Sequence, residues 1–261
     1  MELREVIGRR RSIRFLDPNR PVEMEKIQRM LEAARIASHW GNVQSLRAVV
    51  VMRDSAPQEV LDSMEALIVG WQLRIAPVII VWYLETEAVD HQGDRLRELV
   101  NVGALGFGEE KHAGLEEQLI PFFDKVRPAL KAPGLGEVDG GQGIAQATLM
   151  AFEDGLGTCC LGGKAEQIHK ALNLPETARV LVVQTVGYPL ENWEAGGQRP
   201  RLPFEELFQL NTYGEAFPRS EEVVEELTSD GMFTAPAPLP GREEELEELR
   251  QKLGLTGHGL I

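Results

Sequence analysis

Apolar residues recur at helical spacing in "VEMEKIQRMLEAARIA" (22–37), where Ile27, Met30, Leu31 and Ala34 share one face. Acidic residues crowd the start of that run, as the helix macrodipole favours, and the segment is predicted to be an amphipathic helix. A shorter helix is predicted over "ELREVIG" (2–8). Elsewhere the pattern changes to short apolar runs rich in β-branched residues: "RAVVVM" (47–52), "APVIIVWYL" (76–84) and "ARVLVVQTVGYP" (178–189). Each is flanked by turn or helix signals and is apolar enough for the centre of a sheet. Interleaved in this way, the elements predict an α/β or α+β sheet core.

Residues 85–138 break the pattern. They are polar, with helical patches "DRLRELV" (94–100) and "LEEQLIPFFDKVRPAL" (115–130), and are predicted to form a helical excursion able to act as a lid. Phe107, Phe122 and Phe123 are its aromatic candidates, either for stacking on a planar ligand or for anchoring the excursion to the core. Next comes "DGGQGIAQATLMAFEDGLG" (139–157), a predicted helix with Asp139 as N-cap and Gly155 or Gly157 at its end. Its small residues Gly143, Ala145, Ala147 and Ala151 permit close packing, and its apolar faces suit burial on two sides. The domain is expected to span 1–213, with 214–261 as an extension. In that extension "TAPAPLPGREEELEELRQKLG" (234–254) reads as a Pro-rich linker into an acidic helix, with Leu246, Leu249 and Leu253 as a seam for docking on a neighbour.

Charge changes the picture. With 41 acidic against 27 basic residues the net charge is −14, which excludes the broad basic surface of a nucleic-acid binder. The start "MELREVIGRR" has no apolar signal core, and the run at 76–84 is too short to span a bilayer, so a cytoplasmic protein without membrane contact is expected. Cys159 and Cys160 are adjacent, which suits small buried residues rather than a disulfide framework or a zinc site. The five histidines are scattered, and no metal site is predicted.

Against this acidic background "RRRSIRF" (9–15) carries four arginines. If the segment is extended, Arg10, Ser12 and Arg14 share one side, and in "GGQRPRLPFEELF" (196–208) Arg199 and Arg201 flank a proline and share a side in the same way. Guanidinium forks and a hydroxyl are the donors a phosphate monoester needs, so the clusters are candidates to converge on one small anion. Ion pairing with Asp17 or Glu205 is the alternative. "GLGTCCLGG" (155–163) follows a helix rather than a strand, and no Rossmann site is predicted. "GLGEVDGGQG" (134–143) lacks the Lys-Ser/Thr ending of a P-loop.

"RRSIR" (10–14) resembles the Arg-Arg-Ser-x-Arg signature of the FMN-dependent nitroreductase superfamily. The resemblance continues in order through "VEMEKIQRMLEAARIASHWGNVQSLRAVVV", "APVIIV", "DGGQGIAQATLMAFEDGLGTCCLGG" and "VGYP...RPRLPFEEL", and ends near residue 210. It implies an α+β sandwich with a central, mostly antiparallel sheet flanked by helices, in an intertwined homodimer with FMN at each of two interface sites. It implies that Arg10, Arg11 and Ser12 meet the FMN phosphate, that Arg199 and Arg201 complete that site, and that Arg14 reaches the flavin pyrimidine edge. Leu161, Gly162 and Gly163 of "CLGG" (160–163) match the stretch passing flavin N5, where Gly162 or Gly163 offers a backbone N–H. Asn42 and Gln44 match an Asn-x-Gln and are assigned to ordering their loop.

Some positions depart from the family pattern. His39 stands where serine is usual beside the flavin, with Trp40 next to it, and Ser45-Leu46 replace Pro-Trp. His39 and Trp40 remain cofactor-binding candidates, His39 also as a proton donor, and Trp71 and Gln72 are candidates for the flavin edge. The implied activity is an NAD(P)H-dependent flavin oxidoreductase that reduces nitroaromatic, quinone or related acceptors with ping-pong kinetics and no side-chain nucleophile. Reductive dehalogenation, flavin breakdown and a non-enzymatic FMN-binding module are the alternatives on the same fold. Outside it stands an interaction protein whose acidic tail helix binds a basic partner.

Overall fold

The predicted apolar runs pair with one another to make the sheet. In the computed structural model, which describes residues 1–66 and 68–255, the strands are β1 (Leu46–Met52), β2 (Val78–Glu85), β3 (Gly157–Leu161) and β4 (Ala178–Gly187). Their order is β1-β2-β4-β3, and every neighbouring pair is antiparallel. Strand alternation sends β2 to two cores. Ile79 and Val81 join Val51, Leu161, Ile168 and Val183 on one face, whereas Val78, Ile80 and Trp82 join Ile27, Met30 and Ala147 on the other.

Helices cover both faces. α1 (Leu3–Arg9) and α2 (Met24–Arg35) precede β1; α3 (Gln58–Ser63) and α4 (Trp71–Ile75) precede β2. The excursion supplies α5 (Gln92–Asn101), α6 (Glu109–Gly114) and α7 (Ile120–Lys131), and α8 (Leu135–Glu153) leads into β3. α9 (Ala165–Ala171), α10 (Phe204–Leu207), α11 (Glu221–Ser229) and α12 (Arg242–Lys252) follow. α8 lies close on α2 because Gly143 has no side chain: a Cβ there would stand 2.4 Å from Leu46 Cδ2 and 3.3 Å from the Ala34 carbonyl oxygen.

Four expectations are corrected. Asp139 is not an N-cap, because α8 starts at Leu135 and its first turn is closed by Glu137, which accepts the Gly134 N–H at 2.6 Å. The excursion therefore stops short of 138, and Asp139 is buried inside α8. The two cysteines are not both buried: they lie on β3, whose alternation buries Cys159 but leaves Cys160 exposed as a free thiol. The Pro-rich stretch is a bonded strap rather than a linker. Gln198 N–H donates to the Ala235 carbonyl at 2.8 Å and Ala237 N–H to the Gln198 carbonyl at 2.9 Å, an extended pairing that proline tolerates where its missing N–H is not needed.

The excursion has its own small core of Leu96, Val100 and Leu115, to which Phe123 is joined. Phe123 also anchors it, with its ring 5.9 Å from Trp40, while Phe107 and Phe122 stay exposed. Among the described residues no helix is long and apolar enough to cross a membrane, and no group of His, Cys, Asp and Glu could hold a metal ion. His258 lies outside the described residues.

Candidate functional site

The arginine-rich opening leaves α1 as an extended segment along the free edge of β3. Ile13 N–H donates to the Thr158 carbonyl at 2.9 Å, Ser12 bridges Thr158 in parallel, and Leu16 bridges Pro189. Ile13 is wholly buried, and Gly157 makes room for it, since a Cβ at 157 would fall 2.7 Å from Ile13 Cβ. With Ile13 turned inward, Ser12 and Arg14 face the opposite side. There they line a cavity of about 330 Å³ together with Arg10, Arg11, Gln198, Arg199 and Arg201. The two predicted clusters do converge.

The company of these arginines decides their meaning. Among the described residues, Arg10, Arg14, Arg199 and Arg201 have no carboxylate partner, and neither Asp17 nor Glu205 pairs with them. Arg14 reaches only the Ser12 carbonyl at 3.4 Å, Arg199 the Ala195 carbonyl at 2.7 Å, and Arg201 the Pro200 carbonyl at 3.1 Å. Burial above all, with Arg201 nearby, pulls the Arg10 guanidinium below its usual range. Burial, then the charges of Arg14 and Arg242, does the same to Arg199. Crowded cations without counter-charge favour a bound anion, and a phosphate dianion with its several acceptor oxygens suits this donor set.

Arg11 behaves differently. It is buried, and its guanidinium turns inward to the Gly8 carbonyl at 2.5 Å and Thr234 Oγ1 at 2.6 Å, with Glu194 at 3.6 Å. It ties the opening segment to the strap and backs the cavity. Leu161 puts its side chain in the core and can offer only backbone. Gly163 is required by packing, since a Cβ would lie 2.5 Å from Ile168 Cδ1, whereas Gly162 is exposed with open space where a side chain would stand.

His39 and Trp40 are not brought to this cavity. They sit before β1, at the other edge of the sheet from β3, three strand spacings or about 14 Å across. His39 lines a separate cavity of about 250 Å³ with Gln44, Arg47 and Trp82. Its buried Nδ1 has no hydrogen-bond partner and lies 3.7 Å from Asp139 Oδ2, which accepts the Trp40 N–H at 3.0 Å. Burial pushes the His39 pKa down, and burial also raises that of Asp139, so the pair is poised toward its neutral forms. Gln44 donates to the Asn42 carbonyl at 3.4 Å, the loop-ordering role expected of it. Trp71 packs on Phe15 with centroids 4.8 Å apart, and Gln72 is wholly buried with both amide atoms unpartnered.

Sequence reasoning missed Glu191. This buried carboxylate accepts the backbone N–H groups of Arg14 at 2.5 Å and Phe15 at 3.0 Å. The signal was an acid following the apolar "VGYPL" (186–190) and close to Trp193, where a charge needs a reason.

A model described as the nitroreductase family matches residues 7–73, which span the opening segment through the start of α4. Over 202 residues the chain is 33% identical to an NADH dehydrogenase of Thermus thermophilus, covering 76% of this chain and 91% of that protein. The fold is similar to that of a nitroreductase family protein from Streptococcus pneumoniae, with TM-score 0.63 and 21% identity over 80% of this chain and 100% of that one. It is also similar to a structure from Exiguobacterium sibiricum described as a nitroreductase in complex with FMN, with TM-score 0.64 and 21% identity over 81% of this chain and 98% of that one.

Proposed function

The chain belongs to the nitroreductase family, and on that premise we propose that the arginine cavity seats the phosphate of FMN in an NAD(P)H-dependent flavin oxidoreductase acting on nitroaromatic, quinone or related acceptors. The observation that carries the reading is the set of four guanidinium groups without a carboxylate, gathered on one cavity of a chain with net charge −14. Arg10, Arg199 and Arg201, with the Ser12 hydroxyl, would hold the phosphate. When bound, FMN supplies hydride exchange between NAD(P)H and the acceptor. Arg14 would place a fixed positive charge where negative charge develops, and the backbone of Gly162 or Gly163 would meet the flavin edge. The chain's contribution is positional and electrostatic, with no side-chain nucleophile, and the two substrates taking turns at one site gives ping-pong kinetics.

The outward side of α8 supports a homodimer. Val138, Gly141 and Ala145 leave a small and apolar stripe exposed, suited to a second helix. In such a pair His39 and Trp40 of each copy would border the flavin held by the other, with His39 as proton donor to the acceptor. That arrangement gives a use to a histidine cavity remote from the arginines of its own chain. A cytoplasmic setting, where NADH and NADPH are abundant, fits this chemistry.

The visible spectrum of the purified protein, with and without NADH or NADPH, tests the reading. A flavin spectrum bleached by either reductant is expected, with FMN as the chromophore released by acid. A colourless protein that takes up no added FMN, or one that releases only FAD, overturns it. FMN that is bound but not reduced leaves a binding module. Light scattering that reports a 29.0 kDa monomer with FMN bound overturns the dimer.

A further inference from the structure

We propose that Arg242 on α12 and Glu191 form a clamp that positions Arg14 for the flavin, making the C-terminal helix a working part of the site. The inference rests on the reading of the arginine cavity as the FMN site. Its starting point is a carboxylate with no exposed surface: the Glu191 side chain is 0% exposed and that of Arg242 13%. One oxygen of Glu191 holds the Arg14 and Phe15 N–H groups, and the other accepts Arg242 Nη2 at 2.6 Å. Arg242 is held in turn by Glu245, whose Oε2 accepts Nη1 at 2.8 Å while its Oε1 accepts the Asn192 N–H at 2.6 Å. The series runs from the Arg14 backbone through two carboxylates and one guanidinium to the Asn192 backbone, one residue after Glu191.

A buried carboxylate is tolerated only when its charge is met, and Arg242 is the cation that meets it. Without Arg242 the buried Glu191 carboxylate loses its counter-charge, and any movement that restores one alters the bonds that fix the Arg14 backbone. The surroundings are shaped for the clamp. Gly196 has φ +83°, and a Cβ there would lie 2.8 Å from Arg242 Nε. Leu246, Leu249 and Leu253 pack on Phe15 and Trp71, so the residue next to Arg14 is gripped by side chain as well as by backbone. Arg14 itself has no ion pair among the described residues, and the backbone at its root therefore sets where its charge sits.

Amide hydrogen exchange and FMN titration of Arg242→Met, beside Arg242→Lys, test the clamp. In the apo protein the Arg14 and Phe15 amides are expected to exchange at least about tenfold faster in Arg242→Met. FMN is then expected to bind about tenfold more weakly, with a more negative midpoint potential, and Arg242→Lys to recover most of each change. Unchanged exchange, or faster exchange with wild-type affinity and potential, overturns the clamp alone. Wild-type protein that binds no FMN overturns the reading of the cavity and the clamp with it. Should Arg242→Met fail to fold, Glu245→Gln, which loosens Arg242 without removing it, is measured in the same way, and the same results support or overturn the clamp.

Discussion

The excursion between β2 and α8 and the cavity beside β3 are both rich in arginine, and they differ in what faces those arginines. In the excursion Arg95 reaches Glu98 at 2.6 Å, Arg97 reaches Glu116 at 2.6 Å, and Arg127 pairs with Asp124. The hydrogen bond to Glu116 is the main reason that Arg97 stands above its usual pKa, and the same bond holds Glu116 below its own. These pairs lie in water and serve solubility and local helix geometry. In the cavity Arg14, Arg199 and Arg201 bond only carbonyl oxygens and Arg10 has no carboxylate partner, while Glu191 is taken up by backbone N–H groups and Arg242, and Glu194 stands beside Arg11. Arginine density says little about function; four guanidinium groups left without an ion pair, in a chain with so many carboxylates, say a great deal.

The largest test of this contrast is the double substitution Arg199→Ala/Arg201→Ala. Each lost charge-assisted hydrogen bond is worth about 1.5–3 kcal/mol, so FMN affinity should fall by about a hundredfold or more in a fluorescence titration. Arg97→Ala in the excursion should leave that affinity unchanged, and an equal loss from both variants would erase the distinction. Arg14→Ala is expected to weaken FMN by about tenfold and to make the bound flavin harder to reduce. An unchanged midpoint potential in the folded variant removes Arg14 from that role. Replacing residues 104–118 with a Gly/Ser linker should keep FMN bound but alter relative kcat/KM values severalfold across nitroaromatic and quinone acceptors. Equal ratios across the panel would make the excursion a structural addition only.

His39 gives the smallest effect and an intermediate case, a cationic residue type near a carboxylate yet kept neutral by burial. Its folded pKa lies below the ordinary 6.5, so its contribution to stability is complete above that value and is lost as the pH falls through the lower folded value. Asp139, raised by burial, acts in the opposite sense at lower pH, its contribution being present below 3.8 and lost as the pH rises through its folded value. His39→Phe should therefore flatten the fall in Tm between about pH 7 and pH 5, as thermal unfolding followed by circular dichroism would show. A Tm that falls as steeply as in the wild type would mean that His39 is charged in the native state.

The apolar runs made β2 and β4 legible because central strands are apolar on both faces, the edge strand β1 was legible from its run of β-branched residues, and α2 from the spacing of Ile27, Met30 and Ala34. β3 was not, because an edge strand of five residues between glycines carries too little pattern and its pairing with β4 is non-local. The arginine cavity was visible in part, since the alternation of Ser12, Ile13 and Arg14 follows from strand geometry once the segment is extended. Which arginines there stay unpaired was not: Arg10 and Arg11 are neighbours in sequence and both line the cavity, yet the Arg11 guanidinium is taken up by Thr234, more than two hundred residues away. The placement of His39 beside Asp139 has the same character, being set by helix packing that no local pattern encodes.

The strap from Thr234 to Leu239 has a consequence for the order of assembly. Its pairing with Gly196 and Gln198, and the bond from Arg11 to Thr234, tie the opening segment to residues made more than two hundred positions later. A ribosome releasing this chain can let β1 and β2 pair early, but the cavity cannot acquire its walls until residues beyond 234 have emerged. If the cavity seats FMN as proposed, flavin uptake therefore waits for the strap to dock. A colour change during refolding should lag the return of sheet structure and report the moment when the opening segment meets the strap.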